Sequence, residues 1–163
     1  MKTPTLKDGL RFILAAVSDD GTRPGLTAPY YDAVTNTLVA TDGRRMHLWH
    51  RPPCGLAVSG YVKIDIKNCI LDADPRPYEF QPDWQKFLER KHVPAACRYD
   101  GSHPDMHIPL FLVRNQVAIN IQYMKDLGRF EWIVDKSVPE NSNQSWRFKL
   151  GSLTAFIMPM NID

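Results

Sequence analysis

An apolar stripe at the start of the chain constrains the fold most, because only an α-helix brings its members together. Five large side chains recur at intervals of four, three, one and three residues: Leu6, Leu10, Ile13, Leu14 and Val17. That spacing covers one face of a helix. Thr5 and Asp8 have the spacing of a capping box, and the Gly- and Pro-containing run 18–25 supplies a stop. The sequence therefore predicts a helix over 5–18.

After this helix, the apolar residues no longer recur at helical spacing. Residues 26–31, 36–41 and 44–50 are rich in strand-forming side chains. Short turns separate them, one at 34–36 and one at Asp42-Gly43. These segments predict a meander of two or three strands.

The end of the chain repeats the order of a helix followed by strands. A predicted strand over 117–119 leads to Asn120, a favoured N-cap residue, and to a short helix through Leu127 that ends at Gly128. Three predicted strands follow: 130–134, the alternating segment 145–150, and 154–160 after a Gly151-Ser152 turn.

Residues 51–109 differ in composition from both ends. This stretch holds eight of the thirteen prolines, all three cysteines and three of the five histidines. It predicts an irregular, loop-rich insert within a single domain that covers 1–163. Two elements are expected inside it: a strand at 61–66, where apolar and charged residues alternate, and a short helix over 83–91 after Pro82.

Composition argues against several classes of protein. With 44% hydrophobic residues, a chain of 163 residues can bury a core without covalent staples. Three cysteines at no recognised spacing disfavour a disulfide framework. The first residues lack an apolar secretion signal, and no run approaches the ~18 apolar residues of a membrane span. We expect a cytoplasmic protein that does not bind membranes.

Both ends of the chain resemble the bacterial DNA polymerase III β subunit, the sliding clamp. Residues 10–48, LRFILAAVSDDGTRPGLTAPYYDAVTNTLVATDGRRMHL, resemble its opening helix, its S-D-D-x-T-R-P-x-L loop and a strand pair that ends in A-T-D-G-x-R-L. The family's F-N-x-x-Y-L-L-D-A-L helix is similar to the segment INIQYMKDLGRFEWIV. Its Y-V-V-M-P-M-R-L ending is similar to the segment TAFIMPMNI. Between them, PYEFQPDWQKFL resembles the family's F-P-D-Y-x-x-V-I-P linker.

The resemblance implies a fold and a function. A clamp is a ring of repeated domains, each with two helices facing the hole and sheets behind them, and it tethers polymerase to DNA without catalysing a reaction. We therefore expect an α+β, DNA-clamp-type domain with two helices packed on antiparallel β-sheet. A β subunit has three such domains and this chain has room for one, so a closed ring would need either roughly six copies joined head to tail or a different partner.

The resemblance also implies contacts with duplex DNA. A protein that slides must neutralise phosphates without reading bases. The candidates are basic or amide side chains. Arg23 lies in the Thr-Arg-Pro loop, and the others have helical spacing: Lys7, Arg11, Gln122, Lys125 and Arg129. The alternative is that these are ordinary solvated helix faces, because the net charge is only +2. Asp8 and Asp126 lie on the same helices and would weaken a grip on DNA.

A peptide-binding groove is the second implied site. In the family, the A-T-D-G-x-R-L turn and the M-P-M-R-L ending line a groove for short linear motifs of polymerases and other clients. The counterparts here are Thr41, Gly43, Arg44, Arg45 and Met46 on one side, with Met158, Pro159 and Met160 on the other. Flexible Met side chains suit varied apolar anchors. The alternative is a plain hairpin turn with methionines that fill the core. Asn161 replaces the family's basic residue and puts the same client specificity in doubt.

Histidines and cysteines suggest a third, weaker possibility. His47, His50, Cys54, His92, Cys97, His103 and His107 could supply metal ligands, but their spacing is unlike the tight pairs of zinc sites. No phosphate-binding glycine loop, nucleophile elbow or telling carboxylate pair is present. We predict no cofactor, no metal and no catalysis.

Three functions remain open at this point. The first is a processivity factor that assembles head to tail around DNA. The second is a monomeric interaction module of clamp fold that binds a replication protein or its peptide. The third is a metal-dependent enzyme built on the central His- and Cys-containing stretch.

Overall fold

The structure is a computed structural model that describes residues 4–53, 55–77, 79–80, 82–95, 97–99, 106–109, 117–128, 130–137 and 145–161. Its helices are α1 (Leu6–Ala15), α2 (Gln85–Glu89) and α3 (Ile121–Asp126), and Pro24–Leu26 forms a 3-10 turn. The strands of the first half are β1 (Tyr30–Asp32), β2 (Thr37–Thr41), β3 (Arg45–His50), β4 (Gly60–Asp65) and β5 (Ile70–Ala73). Those of the second half are β6 (His92–Pro94), β7 (Cys97–Tyr99), β8 (Met106–Pro109), β9 (Val117–Asn120), β10 (Ile133–Ser137), β11 (Trp146–Leu150), β12 (Leu153–Ile157) and β13 (Met160–Asn161).

Two antiparallel sheets contain these strands. The larger has nine strands in the order β5-β4-β1-β2-β3-β12-β11-β10-β6, and the smaller has the order β13-β9-β8-β7. The seam of the large sheet is the pairing of β3 with β12, where Trp49 lies opposite Leu153 and Arg45 opposite Ile157. This pairing joins the two ends of the chain in one sheet.

One face of the large sheet packs on α1. Leu10 and Ile13 are fully buried there, and the apolar side chains of β11 and β12 complete the core. Gly9 permits the close approach of the helix, because a Cβ at this position would lie 2.7 Å from the Trp49 ring. The small helix α3 adds Tyr123, Met124 and Leu127 to the same core. We call this side the helix face of the sheet.

The opposite face is covered by the segment 79–89. Val39, Met46, Leu48 and Phe156 point to this side and pack against Trp84, with Phe80 and Phe87 at the margin. Successive side chains of a strand point to opposite sides of the sheet, which explains why Val39 and its neighbour Ala40 belong to different buried clusters. We call this side the outer face.

The expected α+β class is confirmed, and so are most local signals. Thr5 caps α1 in a capping box with Asp8, and Asn120 caps α3 by accepting from the Gln122 amide at 2.8 Å. The turns predicted at 34–36, Asp42-Gly43 and Gly151-Ser152 connect antiparallel strands as expected. Gly128 follows α3 with a φ of 78°, a conformation that suits glycine.

Several boundaries are wrong. The first helix ends at Ala15, since the Ala16 and Val17 amides bond to carbonyls three residues back and tighten the last turn. The strand predicted from residue 26 starts at Tyr30, because the 3-10 turn occupies 24–26. The strand predicted at 130–134 runs from Ile133 to Ser137, where it pairs with β11 and β6.

The stretch 51–109 is more regular than its composition predicts. It contains the expected strand and short helix as β4 and α2, and it also contains β5, β6, β7 and β8. Each of these strands pairs with a neighbour in one of the two sheets. The expected strand and helix are therefore accompanied by four strands that composition did not indicate, since prolines at strand ends and edges are compatible with pairing. No helix in the described part of the chain is long and apolar enough to cross a bilayer.

Candidate peptide groove and helix surface

A groove of about 780 Å³ lies on the outer face, at the edge of the segment 79–89. Three separate parts of the chain form its walls: the 3-10 turn, the β2–β3 turn and the segment 77–87. The lining residues include Arg23, Leu26, Thr41, Gly43, Met46, Glu79, Pro82 and Phe87. The groove thus has an apolar floor with charged groups at its margin.

Gly43 and Arg23 meet at one wall. Gly43 has a φ of 90°, which is the left-handed region that favours glycine. A Cβ added there would lie 2.7 Å from an Arg23 guanidinium nitrogen. Arg23 also donates to the Asp42 carbonyl at 3.4 Å. The glycine therefore allows the arginine to lie flat over the turn at the groove wall.

The floor belongs to the buried cluster of the outer face. Met46 is 5% exposed and packs with Val39, Leu48 and Phe156. On the opposite wall, the Phe87 ring lies 5.5 Å from the Phe156 ring. Burial of these neighbours fixes the floor, and Met46 is the unbranched, polarizable side chain among them.

Three of the residues predicted from the first strand pair line the groove, namely Thr41, Gly43 and Met46. Arg44 is exposed beside it, and its carbonyl accepts from the Met158 amide at 2.9 Å. That hydrogen bond brings the carboxyl-terminal run against the β2–β3 turn. Met158 and Pro159 are half-buried and are not among the lining residues, and the Met160 side chain lies outside the described residues.

Arg45 points away from the groove, although the sequence suggests it as a lining residue. Its guanidinium pairs with Asp42 at 3.0 Å and with Asp126 of α3, and it donates to the Ala15 carbonyl at the end of α1. It also lies 4.4 Å from the centre of the Tyr123 ring. Arg45 therefore joins both helices to the turn that forms the groove wall.

Sequence reasoning missed the third wall. Glu79, Pro82, Asp83 and Phe87 are brought to the groove because Trp84 and Phe80 anchor their segment on the sheet. The only signal for this wall was the resemblance of PYEFQPDWQKFL to the family's linker. No periodicity in the sequence places that segment over β2 and β3, which both lie far earlier in the chain.

The candidate DNA-binding side chains of the two helices are solvent-exposed. Lys7 and Arg11 are exposed on α1, and Gln122 and Lys125 on α3. Arg23 lies at the groove, and Arg129 falls outside the described residues. The structure thus separates Arg23 from the helix candidates with which the sequence grouped it.

Both acids on these helices are engaged by neighbours. The Asp8 carboxylate accepts from the Thr5 amide at 2.9 Å in the capping box. Asp126 pairs with Arg45 and accepts from the Gln122 side-chain amide at 2.8 Å. Arg45 therefore offsets the negative charge of Asp126, while the Thr5 groups that donate to Asp8 are uncharged.

The candidate metal ligands do not converge within the described residues. No group of three or more His, Cys, Asp or Glu side chains there could hold a metal ion. His47 lies in the core, and the half-buried His50 ring lies 3.3 Å from the Thr37 hydroxyl. Cys54 and His103, like the side chains of Cys97 and His107, lie outside the described residues.

His47 is a structural histidine of the helix face. It is fully buried and bonds through Nδ1 to the Phe12 carbonyl, and its ring stacks on the Phe12 ring with centroids 4.2 Å apart. Burial lowers the pKa of His47 to about 4, against the opposing effect of the Phe12 hydrogen bond. The ring is therefore neutral at pH 7 and donates its Nδ1 proton to Phe12.

Solved structures of bacterial DNA polymerase III β subunits share this fold. The chain superimposes on the Borrelia burgdorferi protein with a TM-score of 0.62 at 15% identity, covering 97% of this chain and 62% of that one. The Thermotoga maritima protein gives 0.62 at 12% identity, with coverages of 97% and 64%. The Helicobacter pylori protein gives 0.61 at 10% identity, with coverages of 98% and 64%.

These likenesses are structural and partial. The chain spans less than two thirds of the length of each of these three β subunits. No protein-family model matches the sequence, and a search of curated proteins gives no match. At such low identity, the similarity establishes the fold. The chain therefore has the fold of bacterial DNA polymerase III β subunits, the sliding clamps, as the two sequence segments predict.

Proposed function

We propose that this chain is a non-catalytic, sliding-clamp-like protein whose groove binds a short peptide from a DNA polymerase or another replication protein. The observation that carries the proposal is the groove itself. Thr41, Gly43 and Met46, chosen from sequence resemblance alone, line one concave site on the outer face together with Arg23. A peptide function requires such a cavity at those residues.

The chemistry of the groove suits an extended peptide with an apolar anchor. Leu26, Met46 and Phe87 offer apolar surface, and the adaptable Met46 can accommodate different anchors. Arg23 on one wall and Glu79 on the other offer opposite charges that can orient the peptide. The Helicobacter pylori β clamp was solved with a DNA ligase peptide, so a protein of this fold binds a peptide of this kind.

A peptide titration with paired variants of α2 tests the proposal. Phe87 lines the groove, whereas Leu88, its neighbour, is 37% exposed and does not. With a fluorescent peptide from Helicobacter pylori DNA ligase as the probe, we expect Phe87→Ala to raise Kd about tenfold, equivalent to ~1.4 kcal/mol of lost apolar contact. Leu88→Ala should leave Kd within about twofold. Equal effects of the two variants, or no binding by the unaltered protein, would contradict the proposal.

We propose in addition that α1 and α3 hold duplex DNA through phosphates, so that the protein can act as a processivity factor. Lys7, Arg11 and Lys125 are exposed cations on these helices, and the neighbouring acids already have partners. A surface that neutralises phosphates without base contacts binds any sequence.

Ring formation by head-to-tail assembly would use the two end strands of the large sheet. β5 and β6 end the nine-strand order, and an end strand can pair with a second copy. Light scattering at high concentration, together with retention on circular but not linear DNA, tests this arrangement. A strict monomer that circular DNA does not retain would exclude the ring.

A monomeric interaction module is the second candidate function. One observation favours it: all three walls of the groove come from one chain, so peptide binding does not need a second copy. Peptide binding by a strict monomer would support this candidate over the ring. The metal-dependent enzyme stays an alternative from the sequence, and the absence of bound zinc or iron in a metal analysis of the purified protein would exclude it.

A further inference from the structure

The β2–β3 turn has two sides, and each serves a different site. On one side Thr41 and Gly43 line the groove. On the other side the Arg45 guanidinium contacts Asp126 of α3, the Ala15 carbonyl of α1 and the Tyr123 ring. A single turn therefore lies between the groove and the helices.

Hydrogen bonds within the turn connect these two sides. Asp42 accepts from the Arg44 amide at 2.9 Å and the Arg45 amide at 3.0 Å through one carboxylate oxygen, while the other oxygen pairs with the Arg45 side chain. The Thr41 hydroxyl donates to the Arg45 carbonyl at 2.6 Å and accepts from the Gly43 amide at 3.0 Å. Movement of Arg45 would therefore disturb the backbone at Gly43.

Burial makes the Arg45–Asp126 pair important for the turn. The Arg45 side chain is 10% exposed and that of Asp126 is 21% exposed. Removing one member of a largely buried pair leaves the other charge poorly compensated, and the remaining partners must rearrange. For Arg45, those remaining partners are Asp42 within the turn and the end of α1.

We infer that Asp126 is a positioning residue for the peptide groove. From α3, and without lining the groove, it fixes Arg45 and so holds the β2–β3 turn in the conformation that places Thr41 and Gly43 at the wall. The inference rests on the proposed peptide function for its biological meaning. It also links that groove to the helix proposed to face DNA, and such a link acts equally in both directions.

Amide hydrogen exchange tests the inference without any ligand. Asp126→Asn removes the charge but keeps the size and shape of a side chain that is 21% exposed, so the protein should remain folded. We expect the Gly43 and Arg44 amides to exchange about fivefold faster in this variant. Asp126→Glu, which keeps a carboxylate, should restore most of the protection.

Glu131→Gln is the matched control, because Glu131 is an exposed carboxylate close to Asp126 in sequence and is not a proposed binding residue. It should leave exchange at Gly43 and Arg44 within about 1.5-fold of the unaltered protein, which is the ordinary range for a surface change. Thermal unfolding of each variant separates a local effect on the turn from global destabilisation, since global loss would speed exchange in the buried strands as well.

The ligase peptide supplies a second readout. Asp126→Asn should raise its Kd about threefold to fivefold, while Glu131→Gln should not change it. Unaltered exchange at Gly43 and Arg44 in Asp126→Asn would overturn this inference alone. Failure of the unaltered protein to bind the peptide would instead overturn the proposed function, and the exchange result would still decide whether Asp126 positions the turn.

Discussion

The two faces of the nine-stranded sheet are covered in different ways. Among the described residues, sixteen buried side chains form the cluster of the helix face, and five form that of the outer face. The helix face includes residues from both ends of the chain and a fully buried histidine. The outer face is covered by the segment that contains α2, and a groove of about 780 Å³ remains beside that segment.

This difference indicates which face of the sheet could bind a ligand without loss of core packing. A close-packed core resists any change in volume, so the helix face must serve stability. The outer face keeps an apolar floor accessible at the edge of its cover, which is the usual form of a ligand site. Under the proposed peptide function, stability and recognition would belong to opposite faces of the same strands, and β3 carries His47 on one side and Met46 on the other.

The largest expected effect contrasts one phenylalanine from each face. Phe148 is fully buried on the helix face, so Phe148→Ala should lower the free energy of unfolding by about 4 kcal/mol. Phe87 is half-buried at the groove, and Phe87→Ala should cost about 1 kcal/mol. Urea unfolding measures both. Equal costs would mean that the outer face is packed as tightly as the helix face.

The next effect concerns pH and belongs to the helix face. Because the pKa of His47 is lowered to about 4 in the fold, only the unfolded chain takes up its proton as the pH falls below 6.5. This histidine should therefore cost stability between pH 6.5 and pH 4, by up to ~3 kcal/mol, with no further loss below that range.

Unfolding measured at several pH values checks this prediction. Three charged groups near His47 also affect its pKa: Arg45, Asp42 and Asp126. The variant His47→Gln keeps these groups and removes only the titrating ring, so it is the proper reference. Glutamine can donate to the Phe12 carbonyl but does not titrate. An equally steep loss of stability in His47→Gln would show that other groups cause the acid sensitivity.

A smaller effect is expected at two glycines with positive φ. Gly43 and Gly151 have φ values of 90° and 57°, so alanine should cost about 1 kcal/mol at either position. Only at Gly43 would the new methyl group displace Arg23, because no described atom lies within 4 Å of a Cβ at Gly151. Gly43→Ala should therefore weaken peptide binding, while Gly151→Ala should not. A similar Kd for both variants would argue against a role of Arg23 and the turn in the groove.

The smallest effect on stability is expected for the exposed cations of α1. The double variant Lys7→Ala with Arg11→Ala should change the free energy of unfolding by less than about 0.5 kcal/mol. If these residues meet phosphates, the slope of log Kd for duplex DNA against log salt should fall by about 2. Lys67→Ala with Lys91→Ala removes two exposed cations elsewhere and serves as the control. The same slope in both double variants would remove α1 from the DNA surface.

Much of the fold could be predicted because its signals are local. The stripe on α1, the alternation in β4 and β11, and the caps Thr5 and Asn120 depend on residues only a few positions apart. The extra strands of 51–109 could not be predicted in this way. Strand β6, for example, is held by β10, a partner distant in sequence, and its own composition gives little sign of pairing.

The candidate sites show the same limit. Resemblance selected the β2–β3 turn correctly as part of a cavity, but it could not tell which side each arginine would take. Arg44 is exposed beside the groove, while its neighbour Arg45 turns inward to Asp126, a residue 81 positions away. That choice depends on the position of α3 over the sheet.

The sequence by itself therefore determined the helix near each end and the meander after the first helix. It also determined the alternation of apolar residues that assigns strand side chains to one face or the other. Tertiary structure alone decided that the segment 79–89 lies across the outer face, where it leaves a groove against β2 and β3. The physical reason is that alternation along a strand assigns a side chain to a face but does not specify its neighbour. Contacts between distant segments form only when the whole chain minimises its exposed apolar surface.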